Sequence, residues 1–139
     1  MKELIVFLKS PLPKTIFVLY FIFNIFTVCN VSTASLSEVQ VCSTLNEDSE
    51  CKSDYNVFQS SVSVLYCSAR LKSAPKNTKV TFTWKYEDEV IGKADVETGS
   101  AIVYSDYKPR GFMKPGKYSV TAKINTDNAD PVTKEFKVE

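Results

Sequence analysis

The residues from 38 onward predict an all-β, antiparallel sandwich, preceded by an N-terminal hydrophobic helix. Three observations carry that expectation. Apolar side chains recur at every second residue, which is the strand period, and no stretch there shows helical spacing. About seven short runs of this kind, in roughly 100 residues, alternate with turn signals, as in a two-sheet antiparallel fold. The single tryptophan, Trp84, lies in phase with Phe82 and Tyr86 in the clearest run. A large aromatic in that phase belongs between two sheets.

The N-terminal part differs in kind. Residues 15–37 carry no charged side chain, and Lys2, Lys9 and Lys14 precede them. A basic start, an apolar run over 16–28 and a small-residue stretch at Ser32, Thr33, Ala34 and Ser35 are the three parts of a secretory signal. As a helix that run rises about 20 Å, short of a hydrocarbon core of roughly 30 Å. Cleavage after Ala34 would leave Ser32 and Ala34 at the two small sites that signal peptidase needs. Two other readings stay open. Leu12, Pro13, Cys29 and Val31 would extend the run into an uncleaved anchor. Alternatively Cys29 is acylated, although Val28 stands where a lipid-attachment motif wants a small residue. Each reading makes residues 1–34 a signal peptide or membrane anchor and 35–139 the sandwich. Each also places the sandwich outside the cytoplasm and confines membrane contact to the N-terminal segment.

Removing Lys2, Glu3, Lys9 and Lys14 takes the 17 basic and 16 acidic residues to 14 and 15. Arg70 and Arg110 are the only arginines. A near-neutral, arginine-poor surface has no electrostatic basis for binding nucleic acid, and little for anionic lipid.

The strands follow in order. Residues 38–44 form the first. Residues 61–71 form the second, where Val62 and Val64 give way to Leu65, Cys67, Ala69 and Leu71 in the opposite phase. Such a switch predicts a bulge or burial on both faces. In the third, Val80, Phe82, Trp84 and Tyr86 share one face, after a turn at Pro75, Asn77 and Thr78. Residues 90–96 and 99–106 are the fourth and fifth, at the positions called D and E in an immunoglobulin domain. Pro115 and Gly116 open the sixth, whose Tyr118, Val120, Ala122 and Ile124 face inward. The seventh is 132–138, with Phe136 and Val138 inward.

Two residues favour an immunoglobulin-like sandwich over a generic one. Trp84 follows a strand carrying Cys67, and Tyr118 stands near the start of the next-to-last strand, where a tyrosine corner sits. The second immunoglobulin cysteine is missing, since Val120 and Ala122 occupy that strand.

The cysteines are Cys29, Cys42, Cys51 and Cys67. Cys42 and Cys51 flank the polar loop 43–50 and are the expected bridge, contributing about 2–3 kcal/mol. The rival pairing is Cys51 with Cys67, and an exported domain permits either. Cys67, inside an apolar run, reads more simply as a buried thiol. With no histidine and no CxxC pair, the chain offers a poor metal site, and no cofactor is expected.

The segments Ala69 to Tyr86 and Gly111 to Val120 resemble a domain of uncharacterised bacterial secreted and lipid-anchored proteins. In that group an "napkgT" turn precedes a Trp-bearing strand, and an aromatic-x-x-G-x-Y segment opens the next-to-last one. Phe112, Gly116 and Tyr118 follow that form with one extra residue before the glycine. Cys42 and Cys51 ahead of Phe58 also resemble its N-terminal part. The resemblance spans roughly residues 39–125. It implies an immunoglobulin-like fold and an extracytoplasmic location, and it brings no catalytic residue.

The absence of histidine removes Ser-His-Asp and Cys-His nucleophile systems. No phosphate loop, nucleophile elbow or metalloprotease motif occurs. Glu87, Asp88 and Glu89 read as a solvated hairpin tip and not as an acid–base pair. Asp127, Asn128 and Asp130 lack calcium-loop spacing and read as a turn. One cluster remains: Tyr104, Tyr107, Arg110 and Phe112, around the connection before the sixth strand. Either Tyr104 and Phe112 close the bottom of the core, or Tyr107, Arg110 and Phe112 form an exposed contact for a partner. The expectation is an exported, non-enzymatic module that binds another envelope or extracellular protein or serves a structural role. The alternative is an envelope enzyme inhibitor or accessory factor acting through residues 107–115.

Overall fold

The computed structural model describes residues 34–125 and 129–139. The leader with Cys29, and the turn residues Asp127 and Asn128, lie outside the described residues. Among the described residues every regular element is a strand. These are β1 (Ser35–Cys42), β2 (Val57–Phe58), β3 (Leu65–Lys72), β4 (Thr78–Tyr86), β5 (Glu89–Thr98), β6 (Ile102–Tyr107), β7 (Gly116–Ile124) and β8 (Val132–Val138). They form two sheets, β1-β3-β6 and β2-β8-β7-β4-β5. Pairing is antiparallel throughout, except that β2 runs parallel to β8. Three strands in the order A-B-E and a sheet containing G-F-C make the immunoglobulin sandwich arrangement.

One strand lies in the other sheet from the position expected. Residues 90–96 do not take the D position beside β6. They belong to β5, which pairs with β4 from Tyr86↔Glu89 to Thr78↔Thr98. The reason is turn length. Only Glu87 and Asp88 separate the two strands, with Glu87 at a φ of 51°. Two residues make a hairpin within one sheet but do not reach a facing sheet about 10 Å away. β5 therefore extends the five-stranded sheet and ends it.

The strand carrying Cys67 is also shorter than expected. It begins at Leu65, and Ser60 and Ser61 form a turn before it. Val62 and Val64 lie outside the strand, so their opposite phase marks a connection and no bulge in β3. The bulge in this sheet falls in β1 between Ser37 and Gln40, where Glu38 takes a φ of 50°. The first strand runs 35–42 where 38–44 was expected, and the fifth expected strand runs 102–107 where 99–106 was expected.

Period two puts Val80, Phe82 and Trp84 of β4 against Val120, Ala122 and Ile124 of β7 in one buried cluster. Leu65, Cys67 and Ala69 of β3 join it from the other sheet. The indole N–H of Trp84 donates to the Ser105 hydroxyl at 3.3 Å, so the polar edge of the ring is satisfied inside the core. Lys134 holds an inward-facing phase of β8 and pairs with Asp54, whose second oxygen accepts the Val41 N–H. This ion pair ties the chain after the disulfide to both sheets.

Cys42 and Cys51 are joined, with Cα atoms 5.7 Å apart, and Cys67 is free and buried. Cys42 pairs with Tyr66, on the outer face of the three-stranded sheet, while Val41 pairs with Cys67 on the inner face. The bridge is therefore buried on that outer face, apart from the inter-sheet cluster. It pins the lobe 43–50 over β3, where the Cys51 N–H donates to Ser68 Oγ at 3.0 Å. Arg70 forks onto Glu50, with both contacts at 2.9 Å, and also meets Glu38. That guanidinium holds the Glu50 carboxyl below the usual carboxylate range.

Candidate functional site

The crossover from β6 to β7, residues 108–115, carries the chain from one sheet to the other at one end of the sandwich. Four contacts fix its two ends. The Tyr107 ring stacks on Trp84, with centroids 5.8 Å apart. The Met113 N–H donates to the Ser60 carbonyl at 2.9 Å, and its side chain is buried. The Tyr118 hydroxyl donates to the Lys114 carbonyl at 2.7 Å. The Tyr86 hydroxyl donates to the Pro115 carbonyl at 3.1 Å. The Tyr118 contact is a tyrosine corner, at the strand position where immunoglobulin-like domains carry one.

Gly116 makes this end possible. Its φ is 144°, and a Cβ there would come within 3.0 Å of both the Tyr86 ring and the Glu87 carboxylate. Gly92 on β5 lies beside the Tyr107 ring, where a Cβ would stand at 3.5 Å, an ordinary contact distance. The missing side chain at Gly116 lets Tyr86 pack against the sheet end.

Between the anchored ends the chain stands in water. Gly111, at a φ of 88°, turns it, and Phe112 follows with 79% of its surface exposed. Arg110 is exposed and has no ion-pair partner among the described residues, while Lys108 meets only Asp106, at 3.7 Å. An open groove of about 540 Å³ runs between this segment and the start of β5. Tyr86, Ile91, Tyr107, Arg110 and Phe112 border it. Aromatic faces with a free guanidinium beside them are the residue types enriched at the energetic centres of protein interfaces.

The sequence-derived candidates therefore separate. Arg110 and Phe112 are exposed on one segment. Tyr107 is half-buried and shared between core and groove. Tyr104 is elsewhere: it lies on the outer face of the three-stranded sheet, edge-on to Tyr66 at 6.3 Å. The reading in which Tyr104 and Phe112 close the core is overturned, because the closing residues are Tyr107 and Met113. Met113 carried a signal in the sequence. It is adjacent to Phe112, so alternation sends one of the pair inward and the other out.

Among the described residues no reactive thiol faces this site. Burial, with the nearby Asp54 charge adding to it, pushes the Cys67 thiol up to about 12. That shift is opposite to the one a nucleophilic cysteine needs. Burial likewise raises the Tyr118 phenol, which therefore stays a hydrogen-bond donor at neutral pH.

The sequence matches no protein-family model and no curated protein. Solved structures similar in shape include two bacterial proteins. One is the soluble domain of PmoD from Methylocystis sp., at 8% identity and a TM-score of 0.48, covering 75% of this chain and 90% of that one. The other is an immunoglobulin-like protein from Pseudomonas aeruginosa, at 11% identity and a TM-score of 0.49, covering 76% of this chain and 96% of that one.

Proposed function

We propose that this chain is an exported, non-catalytic binding module that docks another envelope or extracellular protein through the β6–β7 crossover. Phe112 is the apolar anchor, Arg110 supplies a directional charge-assisted contact, and Tyr107 forms the floor beside them. One observation carries the reading. Phe112 is 79% exposed while its neighbour Met113 is buried, so the fold is closed without Phe112. An aromatic kept in water beside an arginine without an ion-pair partner among the described residues has the composition of an interface hot spot.

Two further points support it. The chain has no histidine, and its one free described cysteine is buried with a raised pKa, so histidine-assisted and thiol nucleophile chemistry lack their groups. The Cys42–Cys51 bridge suits an oxidising compartment, in agreement with the secretory pattern of the leader.

Site-specific photocrosslinking tests the assignment. A photoreactive phenylalanine analogue at position 112 of the full chain, expressed in its own host, should give one discrete protein adduct. Arg110→Glu should abolish that adduct, and the same analogue at Thr121, on the outer sheet face, should give none. An equal adduct from position 121, or one indifferent to Arg110→Glu, would place the docking surface elsewhere.

A further inference from the structure

β5 ends the five-stranded sheet, so one side of it hydrogen-bonds to β4, and no strand among the described residues pairs with the N–H and C=O groups of the other side. An edge of that kind is a template for another strand. Native proteins commonly blunt such edges with short length, charged side chains, proline or bulges, and β5 carries charges of both signs at Lys93, Asp95 and Glu97. β5 has ten residues and no proline. Its irregularity is confined to the first residues, opposite Trp84 and Lys85. From Gly92 to Thr98 the register with β4 is unbroken.

The side chains of that regular stretch are complementary to themselves. Gly92, Ala94 and Val96 oppose Trp84, Phe82 and Val80, so they lie on the core side, and all three are half-buried at the open edge. Lys93 and Asp95 oppose Thr83 and Thr81 and lie on the outer face, exposed. Asp95 is held by the Thr81 hydroxyl at 2.6 Å. Lys93 has no ion-pair partner among the described residues. In an antiparallel pair centred on Ala94, residue 93 of one strand stands directly across from residue 95 of the other. The two-fold operation then makes the same contact twice.

We propose that a second copy of this chain adds to the free edge of β5, antiparallel about a two-fold axis at Ala94, with Lys93 of each copy facing Asp95 of the other. The pairing joins two five-stranded sheets into one continuous sheet and covers the half-buried Ala94 and Val96. The register centred on Asp95 also brings Lys93 opposite Glu97 at two contacts, but it does so around a pair of like charges, and the register centred on Lys93 brings no opposite charges together. Centring on Asp95 sets two carboxylates opposite each other, and centring on Lys93 sets two ammonium groups together. Like charges directly opposite are destabilising. Phe112 and Arg110 are not among the paired residues, and the pairing is centred on Ala94, three residues beyond Ile91, which borders the docking groove.

Charge exchange on the full chain, held in detergent micelles and followed by sedimentation equilibrium, tests the arrangement. The wild-type chain should dimerise. K93D and D95K should each weaken the dimer by about tenfold or more, because each sets like charges opposite at both contacts. An equimolar mixture of the two variants should recover the wild-type affinity, since the carboxylates of the K93D chain then face the ammonium groups of the D95K chain at both contacts. The double exchange K93D/D95K should recover it as well. F112A should leave the dimer unchanged. A monomeric wild-type chain, a dimer indifferent to both single exchanges, or a mixture that stays monomeric would each overturn the proposal. The recovery arms separate a lost contact from a misfolded variant.

Discussion

Replacing Cys42 and Cys51 together with Ser should lower stability by at least about 2.7 kcal/mol, the chain-entropy part of the cost, with the burial of two hydroxyls adding to it. The bridge spans a sequence separation of 9. For a closed loop of about ten residues the chain-entropy relation gives about 9 cal/mol/K, or about 2.7 kcal/mol at 25 °C. Location decides what else is lost. Cys42 pairs with Tyr66 on the outer face, so neither sulfur supports the packing of Trp84, Phe82 or Leu65. The Cys51 N–H keeps its bond to Ser68 Oγ in the variant, because the backbone donates it. At about 4–8 °C per kcal/mol for a domain of this size, the melting temperature should fall by roughly 10–20 °C with cooperativity retained. Thermal unfolding followed through the emission of Trp84, the single tryptophan, measures this directly. Wild-type protein treated with reductant should melt at the temperature of the variant. A variant that melts with the wild type would refute the reasoning. So would one whose Trp84 is already exposed at room temperature, since the bridge would then be holding the core.

Three further outcomes follow from the same end of the fold and from the buried thiol. Tyr118→Phe removes the donor to the Lys114 carbonyl and leaves the ring in place, and should cost about 1 kcal/mol in denaturant unfolding. Gly116→Ala adds a Cβ at a φ of 144° against Tyr86 and Glu87, and should cost about 2 kcal/mol, more than an exposed strand substitution. Cys67 ionises near 9 when unfolded and at about 12 when folded. Above pH 9 the unfolded chain therefore holds fewer protons, and the contribution of Cys67 to stability declines as pH rises through that window. Over about three pH units this amounts to on the order of 4 kcal/mol. In stability curves of wild type and Cys67→Val between about pH 8 and 11, compared by difference, wild type should lose stability relative to the variant as pH rises. Parallel curves would contradict a buried neutral thiol.

The rhythm of apolar residues made β4 and β7 legible because each buries one face only. Trp84, Phe82, Val120 and Ala122 all lie where alternation put them. Alternation says which face is buried but not which strand is the neighbour, and for that reason β5 was expected in the wrong sheet. The two-residue turn at Glu87 and Asp88 contained the correction, since its length forbids a crossing. β2 has two residues and no period to read. Leu65 and Val64 looked like one strand with a phase change, because nothing local marks where a connection ends and a strand begins. At the crossover the composition was legible and the orientation was not. Phe112 and Met113 are adjacent and both apolar, and the backbone turn at Gly111 decides which of them reaches the core. Tyr104 was grouped with them by nearness in sequence, although its phase on β6 points it away from the core.

The division of labour between Phe112 and Met113 is tested most directly by comparing the unfolding free energies of Phe112→Ala and Met113→Ala. If Phe112 serves a partner and not the fold, its removal should change stability by less than about 0.5 kcal/mol, the range of ordinary surface substitutions. Removal of the buried Met113 should cost about 2–5 kcal/mol. A loss of about 3 kcal/mol or more on truncating Phe112, the cost of a core aromatic, would contradict the account and return that ring to the interior.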